Sequence, residues 1–176
     1  VFTYNGETQT YTPTGFDSTA MSIANNSQTN AGTYEVVVSL KNGFAWADAE
    51  KGKGKDPVEF TFIIGKKTVE LDWGTTRLTY TGEAQRPNVT VTNLCGNDVC
   101  TLTVTGEQTD ANANSEGNLY TADTRYSATV TGIDNNNYQL PTTGLTTQFD
   151  ILQATNSWTT TPSIVVTGYN GTYSVT

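Results

Sequence analysis

Seven letters are written nearly twice in this chain, as "TYNGETQ" at residues 3–9 and "TYTGEAQ" at residues 79–85. Further landmarks follow both copies in the same order. "NAGTYEVVV" (30–38) faces "ADTRYSATV" (122–130), which sets Tyr34 opposite Tyr126. "FTFII" (60–64) faces "TQFDIL" (147–152), aligning Phe62 with Phe149 and Ile64 with Ile151, and Trp73 then answers Trp158. Catalytic loops are rarely duplicated, whereas structural units often are. The heptad therefore reads as a structural signature of strand, tight turn and next strand. Asn5-Gly6 is a strong turn signal and Thr81-Gly82 a weaker one. The units expected are 1–65, 66–153 and an opening of a further repeat at 154–176, where a third "YNG" stands at 169–171.

Each unit reads as short alternating strands broken by turn residues. In the second these are "VELDW", "LTY", "NVTVTNL", "CTLTVTG", "RYSATVTGI", "YQL" and "LTTQFDIL". Strands at this density, with no 3.6-residue period, predict an all-β sandwich. Composition agrees: Thr is about a fifth of the chain and charged residues only 15%. Thr, Val and Tyr suit pleated half-buried surfaces, and Asn and Gly suit turns.

The stretch "NAGTYEV" resembles the tyrosine corner of immunoglobulin-like domains, where a Tyr hydroxyl bonds back to the backbone just upstream. Two residues after the Tyr stand Val36 and Ala128, not Cys, so the antibody-type disulfide between sheets is absent. Taken together, the YNGETQ and YTGEAQ heptads, the corner and a closing F-x-I followed by Trp resemble the tandem Ig-like repeats of large bacterial cell-surface and adhesin proteins. That resemblance implies two tandem Ig-like β-sandwich domains, the first lacking its first strand. It also implies a non-catalytic stalk, a secreted location attached to the cell wall or surface, and neighbouring repeats of the same polypeptide as partners. The chain opens on Val1 inside a strand-like run, as a piece of something longer would.

Charge narrows the partners. Nine basic and seventeen acidic residues leave a net charge of -8. Nucleic-acid binding needs Lys and Arg clustered on one face, so no nucleic-acid partner is expected. No apolar run is long enough for membrane insertion as a helix.

Several constellations remain. Cys95 and Cys100, in "NLCGNDVCT" between alternating strands, are expected to close a hairpin as a disulfide of small entropic gain, about 2–3 kcal/mol. Free buried thiols are the alternative; zinc would need ligands that a chain without His or a third Cys lacks. Asp110, Asn112 and Asn114 alternate as in a calcium loop, but Ser115 and Thr121 stand where such a loop wants Gly and Glu. A mobile polar insertion is the expectation there, calcium the lesser alternative, and no other cofactor is implied. "IDNNNY" (133–138) reads as a turn returning Tyr138 to the core. Trp46, with Asp48 and Glu50 downstream, could bind a sugar face, although a buried Trp is the commoner outcome. Loops 44–56 and 107–121 would then carry a rival function, recognition of a glycan or host surface protein. "AEKGKGKD" (49–56) reads as a solvated loop. An enzyme is not expected, because no His base exists and nothing sets two carboxylates across a cleft. A Lys–Asn cross-link in the second unit is disfavoured, since no Lys follows Lys67, while a Thr–Gln ester stays open. The tail from Ala154 to Thr176 is expected to pair with a sheet edge of its own chain or of a neighbour, because isolated hairpins are marginal and exposed edges recruit strands.

Overall fold

The computed structural model describes residues 1–47, 56–122 and 124–156, together with two further strands, Ile164–Thr167 and Thr172–Val175. Asp48, Glu50, the Lys–Gly cluster up to residue 55, Asp123 and Trp158 lie outside the described residues.

The described chain is all-β, without a helix. In the first half, β1 (Phe2–Thr3), β3 (Met21–Ala24), β5 (Gly32–Leu40) and β6 (Val58–Gly65) form a sheet of order β1-β6-β5-β3, while β2 (Gln9–Thr10) pairs with β4 (Ser27–Gln28). In the second half, β9 (Arg77–Thr79), β11 (Leu102–Thr105), β12 (Tyr126–Ile133) and β14 (Thr146–Leu152) form a sheet of order β9-β14-β12-β11. The two orders correspond strand for strand. In each, the first strand runs parallel to the last and the other pairs are antiparallel. The register matches too: Tyr34 faces Phe62 as Tyr126 faces Phe149. Two small sheets, β7 (Lys67–Thr68) with β13 (Tyr138–Gln139) and β8 (Leu71–Trp73) with β10 (Val89–Val91), have no counterpart among the described residues of the first half.

The duplicated heptad builds the same turn twice. The Tyr4 N–H donates to Gly65 O, and the Tyr80 N–H to Leu152 O, each at 2.8 Å. Asn5 Oδ1 accepts from the Glu7 N–H at 3.0 Å, and Thr81 Oγ1 from the Glu83 N–H at 3.3 Å. The turn between needs a left-handed residue, and Gly6 (φ 82°) and Gly82 (φ 85°) supply it without a Cβ clash. Gln9 Nε2 then reaches back to Thr3 O, and Gln85 Nε2 to Thr79 O, both at 3.1 Å. Gln9 and Gln85 also bridge antiparallel to Gln28 and Gln108. The repeated letters are thus hydrogen-bond donors and acceptors of one turn.

Period-two burial follows from the pleat. Val36 and Val38 on β5, Phe62 and Ile64 on β6, Ala128 and Val130 on β12, and Phe149 and Ile151 on β14 all point inward. One core joins Tyr4, Val36, Phe62 and Ile64 to Val69 and Tyr138 of the second half; another holds Ala128, Phe149 and Ile151. Lys66 separates β6 from β7, yet the first core passes over that point.

Three expectations are corrected. The polar stretch after residue 109 is built into the sheet: Ala113 is fully buried, the Asn112 N–H donates to Ile151 O at 2.9 Å, and the Gln153 N–H donates to Ala113 O at 2.8 Å. The tail strands β15 (Ile164–Thr167) and β16 (Thr172–Val175) pair with each other as an antiparallel hairpin, and among the described residues neither is bonded to a main sheet of its own chain.

The third correction concerns the corner. The Tyr34 hydroxyl donates to Asn30 O at 2.7 Å, four residues upstream. Its ring lies over Gly32, where an added Cβ would sit 3.0 Å from the ring. Tyr126 is half-buried against Phe149, 5.7 Å between ring centroids, and its hydroxyl bonds no other described residue. Thr124 occupies the position of Gly32. A Cβ built at Gly32 would meet the Tyr34 ring at 3.0 Å, and Thr124 carries such a Cβ at the matching position.

Tyr34→Phe should therefore cost about 1 kcal/mol in urea unfolding, the worth of one hydrogen bond, and Tyr126→Phe less than about 0.5 kcal/mol. Equal losses at the two sites would refute this account of the corner.

Candidate functional site: a tyrosine–aspartate junction

The densest polar cluster lies where the halves meet. Asp98, in the turn after Cys95, accepts at Oδ2 from the Tyr4 hydroxyl at 2.7 Å and from the Tyr138 hydroxyl at 2.6 Å. The Tyr138 oxygen accepts in turn from the Cys95 N–H at 2.8 Å. The two rings pack edge to face, 5.4 Å apart. Beside them the Ala31 N–H donates to Asn137 Oδ1 at 2.8 Å, and Asn137 Nδ2 donates to Asn30 Oδ1 at 3.1 Å. Gly6 completes the fit, since a Cβ there would stand 2.9 Å from Cys95 Cβ. Loops 94–98 and 134–137 of the second half thus grip the heptad and corner of the first.

The charge is well compensated. Hydrogen bonds from Tyr138 and then Tyr4 hold the Asp98 carboxyl below its ordinary 3.8. The same bond to Asp98, ahead of burial, pushes Tyr4 up to about 12. Burial and then Asp98 push Tyr138 upward as well. Every one of these shifts favours the uncharged-phenol, charged-carboxylate state that the hydrogen bonds hold.

Cys95 and Cys100 do not form the expected disulfide: both are free thiols. The topology explains it. β10 pairs with β8 and β11 with β12, so the segment between them crosses from one sheet to another and closes no hairpin. Cys95 Sγ instead faces Lys67 Nζ at 3.4 Å. Burial, then Asp134 and Asp98, push the Cys100 thiol up.

The oxygens proposed for calcium are engaged. Asn112, 5% exposed, accepts from the Ile151 N–H at 2.8 Å and donates to Thr124 O at 2.7 Å. Asn114 Oδ1 accepts from the N–H groups of Glu116 and Asn118. Arg125 grips Asp150 with two bonds, 3.2 and 3.1 Å, beside Asn112. Among the described residues no group of three acidic, His or Cys side chains converges as a metal site. The structure does not bring Asp110 to this network through any hydrogen bond among the described residues.

Trp46 borders an apolar cleft of about 510 Å³ at the far end of the first half, between loop 13–16, residues 44–47 and the ends of β5 and β6. Its indole N–H donates to Asp56 O at 2.8 Å, much as Trp73 donates to Gly144 O at 3.1 Å ahead of β14. Trp46 thus does for the first half part of what Trp73 does for the second. Among the described residues the lining carries no charged side chain, which suits an apolar occupant.

Sequence reasoning placed Tyr138 in the core but missed Tyr4, Asp98 and Asn137 as a unit. The one signal was a Gly-Asn-Asp turn carrying a carboxylate, and no periodicity links residues 4, 98 and 138. Comparison of the chain with protein-family models, curated proteins and solved structures returned no match.

Two measurements follow. Asp98 has a depressed folded pKa, so its contribution is present above pH 3.8 and lost as pH falls through the lowered value. Tyr4 has a raised one, so its contribution is present below pH 10 and lost as pH rises from 10 through about 12. Melting temperature should plateau between these limits, and Tyr4→Phe should flatten the alkaline limb. Parallel alkaline limbs for both proteins would contradict this. Both cysteines should react with a thiol reagent once the chain is unfolded without reductant, and Cys100 should alkylate more slowly than a free thiol in the folded chain.

Proposed function

We propose that the chain is a non-catalytic structural segment of a bacterial surface protein, two Ig-like β-sandwich units in series that space a distal module from the cell. The observation that carries this reading is the clasp at Asp98. Two duplicated units joined by one residue, Lys66, would swing freely if nothing else held them. A carboxylate shared by a tyrosine from each half, flanked by the Asn137 amide, fixes their relative direction instead. The duplication of the heptad turn supports the same reading, because the Gln9 and Gln85 amide donors close the same turn in both copies. The bacterial surface and extracellular location belong to the resemblance in the repeated motifs, and the natural partners are neighbouring repeats. The cleft beside Trp46 favours a second reading, a binding module for a glycan or host protein, and its lining directs that reading toward apolar groups of the ligand.

Small-angle X-ray scattering tests the stalk. The native chain should scatter as one rigid elongated body, and Asp98→Ala should broaden the distribution of shapes while lowering stability by about 3 kcal/mol, as two hydroxyls lose a charged acceptor. A native chain as flexible as Asp98→Ala would dismiss the rigid-spacer function. Binding of the native chain on a glycan array, lost in Trp46→Ala, would favour the second reading.

A further inference from the structure

The duplicated heptad is covered once and bare once. In the first half Tyr4 is 5% exposed, and a Cβ on Gly6 would strike Cys95 of the second half at 2.9 Å. In the second half Tyr80 is 42% exposed, and no described residue lies within 4 Å of a Cβ built on Gly82. Yet the two turns share their backbone geometry. The Tyr N–H bonds the end of the last strand at 2.8 Å in both, the Gln amide reaches back at 3.1 Å in both, and the Gly φ values are 82° and 85°. Only the cover differs.

We propose that the turn around Tyr80 and Gly82 is a docking pole for a further unit of the second-half type, whose loop presents a carboxylate to the Tyr80 hydroxyl as Asp98 does to Tyr4. This rests on the reading of the chain as units in series and adds the residues that receive the next one. The partner's chemistry is set by what already sits on the first pole. It must bring an acidic residue in a tight turn, so that its oxygen meets the phenol, and a small loop side chain, as Cys95 does at Gly6, that exploits the missing side chain of Gly82. A buried Tyr beside the carboxylate, in the role of Tyr138, would complete the pair. A phenol that is exposed on one pole and buried on its structural twin is the mark of an interface with one side filled. Nothing in the turn's own hydrogen bonding requires Tyr at position 80, since that bonding uses the backbone N–H.

The register at the first pole tells where such a unit would begin. Gly65 O and Leu152 O accept from the equivalent Tyr N–H groups, so the residue after Leu152 corresponds to Lys66. A chain in which residues 153–176 are replaced by a second copy of residues 66–153 places a unit of known sequence over the bare pole. Hydroxyl-radical footprinting, read by mass spectrometry, reports the accessibility of each tyrosine. In the native 176-residue chain Tyr80 should label readily, in the range of Tyr120, and Tyr4 should be protected. With Tyr80→Phe placed in the added copy only, so that its peptide differs in mass, labelling of the original Tyr80 in the extended chain should fall about eightfold, the ratio of the exposures at the two poles. Gly82→Asn tolerates the left-handed turn but adds a side chain to the contact, and in the extended chain it should restore Tyr80 labelling.

Four results would count against the proposal. Tyr80 protected in the native chain would mean that the pole is already filled. Undiminished Tyr80 labelling in an extended chain with native circular dichroism per residue would mean that the added unit folds without docking. An added unit that stays unfolded there, although the same sequence folds against Tyr4, would mean that the poles are not equivalent. Protection of Tyr80 that survives Gly82→Asn unchanged would mean that the contact does not use this turn. Rapid labelling of Tyr4 in the native chain would instead overturn the reading of docked units in series, a failure distinct from all of these.

Discussion

Asp98 holds one negative charge at the meeting point of two halves that share an apolar core and are linked in sequence by Lys66. Its carboxylate accepts from Tyr4 and Tyr138 in a site where both phenols are nearly dry. A buried phenol is tolerable only when its proton is placed, and the half-buried Asp98 carboxylate places two. Each half supplies what the other needs. The first core, which runs from Val36 and Phe62 across to Val69 and Tyr138, is continuous because this clasp keeps the two sides in contact.

The rest of the architecture is a variation on one template. Both halves use the order of first strand, last strand, penultimate strand and inner hairpin strand, with the same parallel closure. They diverge where the chain has room to diverge. The second half spends its extra residues on a segment that lies along β14, held by the Asn112 amide and by the Arg125–Asp150 ion pair. The first half lacks counterparts of β7 and β8 among its described residues, and there the apolar cleft beside Trp46 opens.

Much of this was legible from the letters. All seven strands expected in the second half are present, because alternating apolar residues between turn residues admit little else. The pairings of Tyr34 with Phe62 and of Tyr126 with Phe149 followed the landmarks that defined the repeat. The failures have a common cause. The disulfide between Cys95 and Cys100 was inferred from spacing, and spacing cannot tell a hairpin from a crossing between sheets. Calcium at Asp110, Asn112 and Asn114 is not one of these failures; the structure adds only that Asn112 and Asn114 already serve the backbone. The corner at Tyr126 was inferred from Tyr34, and the Gly-to-Thr difference two residues upstream looked minor until the ring was seen to lie over Gly32.

What the sequence determined by itself is local: strand period, turn positions, and a duplication that makes two sheets of one design. Those rest on interactions between residues a few positions apart, where hydrogen-bond geometry and side-chain alternation leave few choices. Only the tertiary structure decided which copy of the heptad is buried. Tyr4 and Tyr80 stand in nearly identical heptads and make the same backbone bonds, yet one is clasped by Asp98 and the other is open to solvent. That difference depends on a loop 94 residues away in sequence, and no pattern of nearby letters encodes such a meeting.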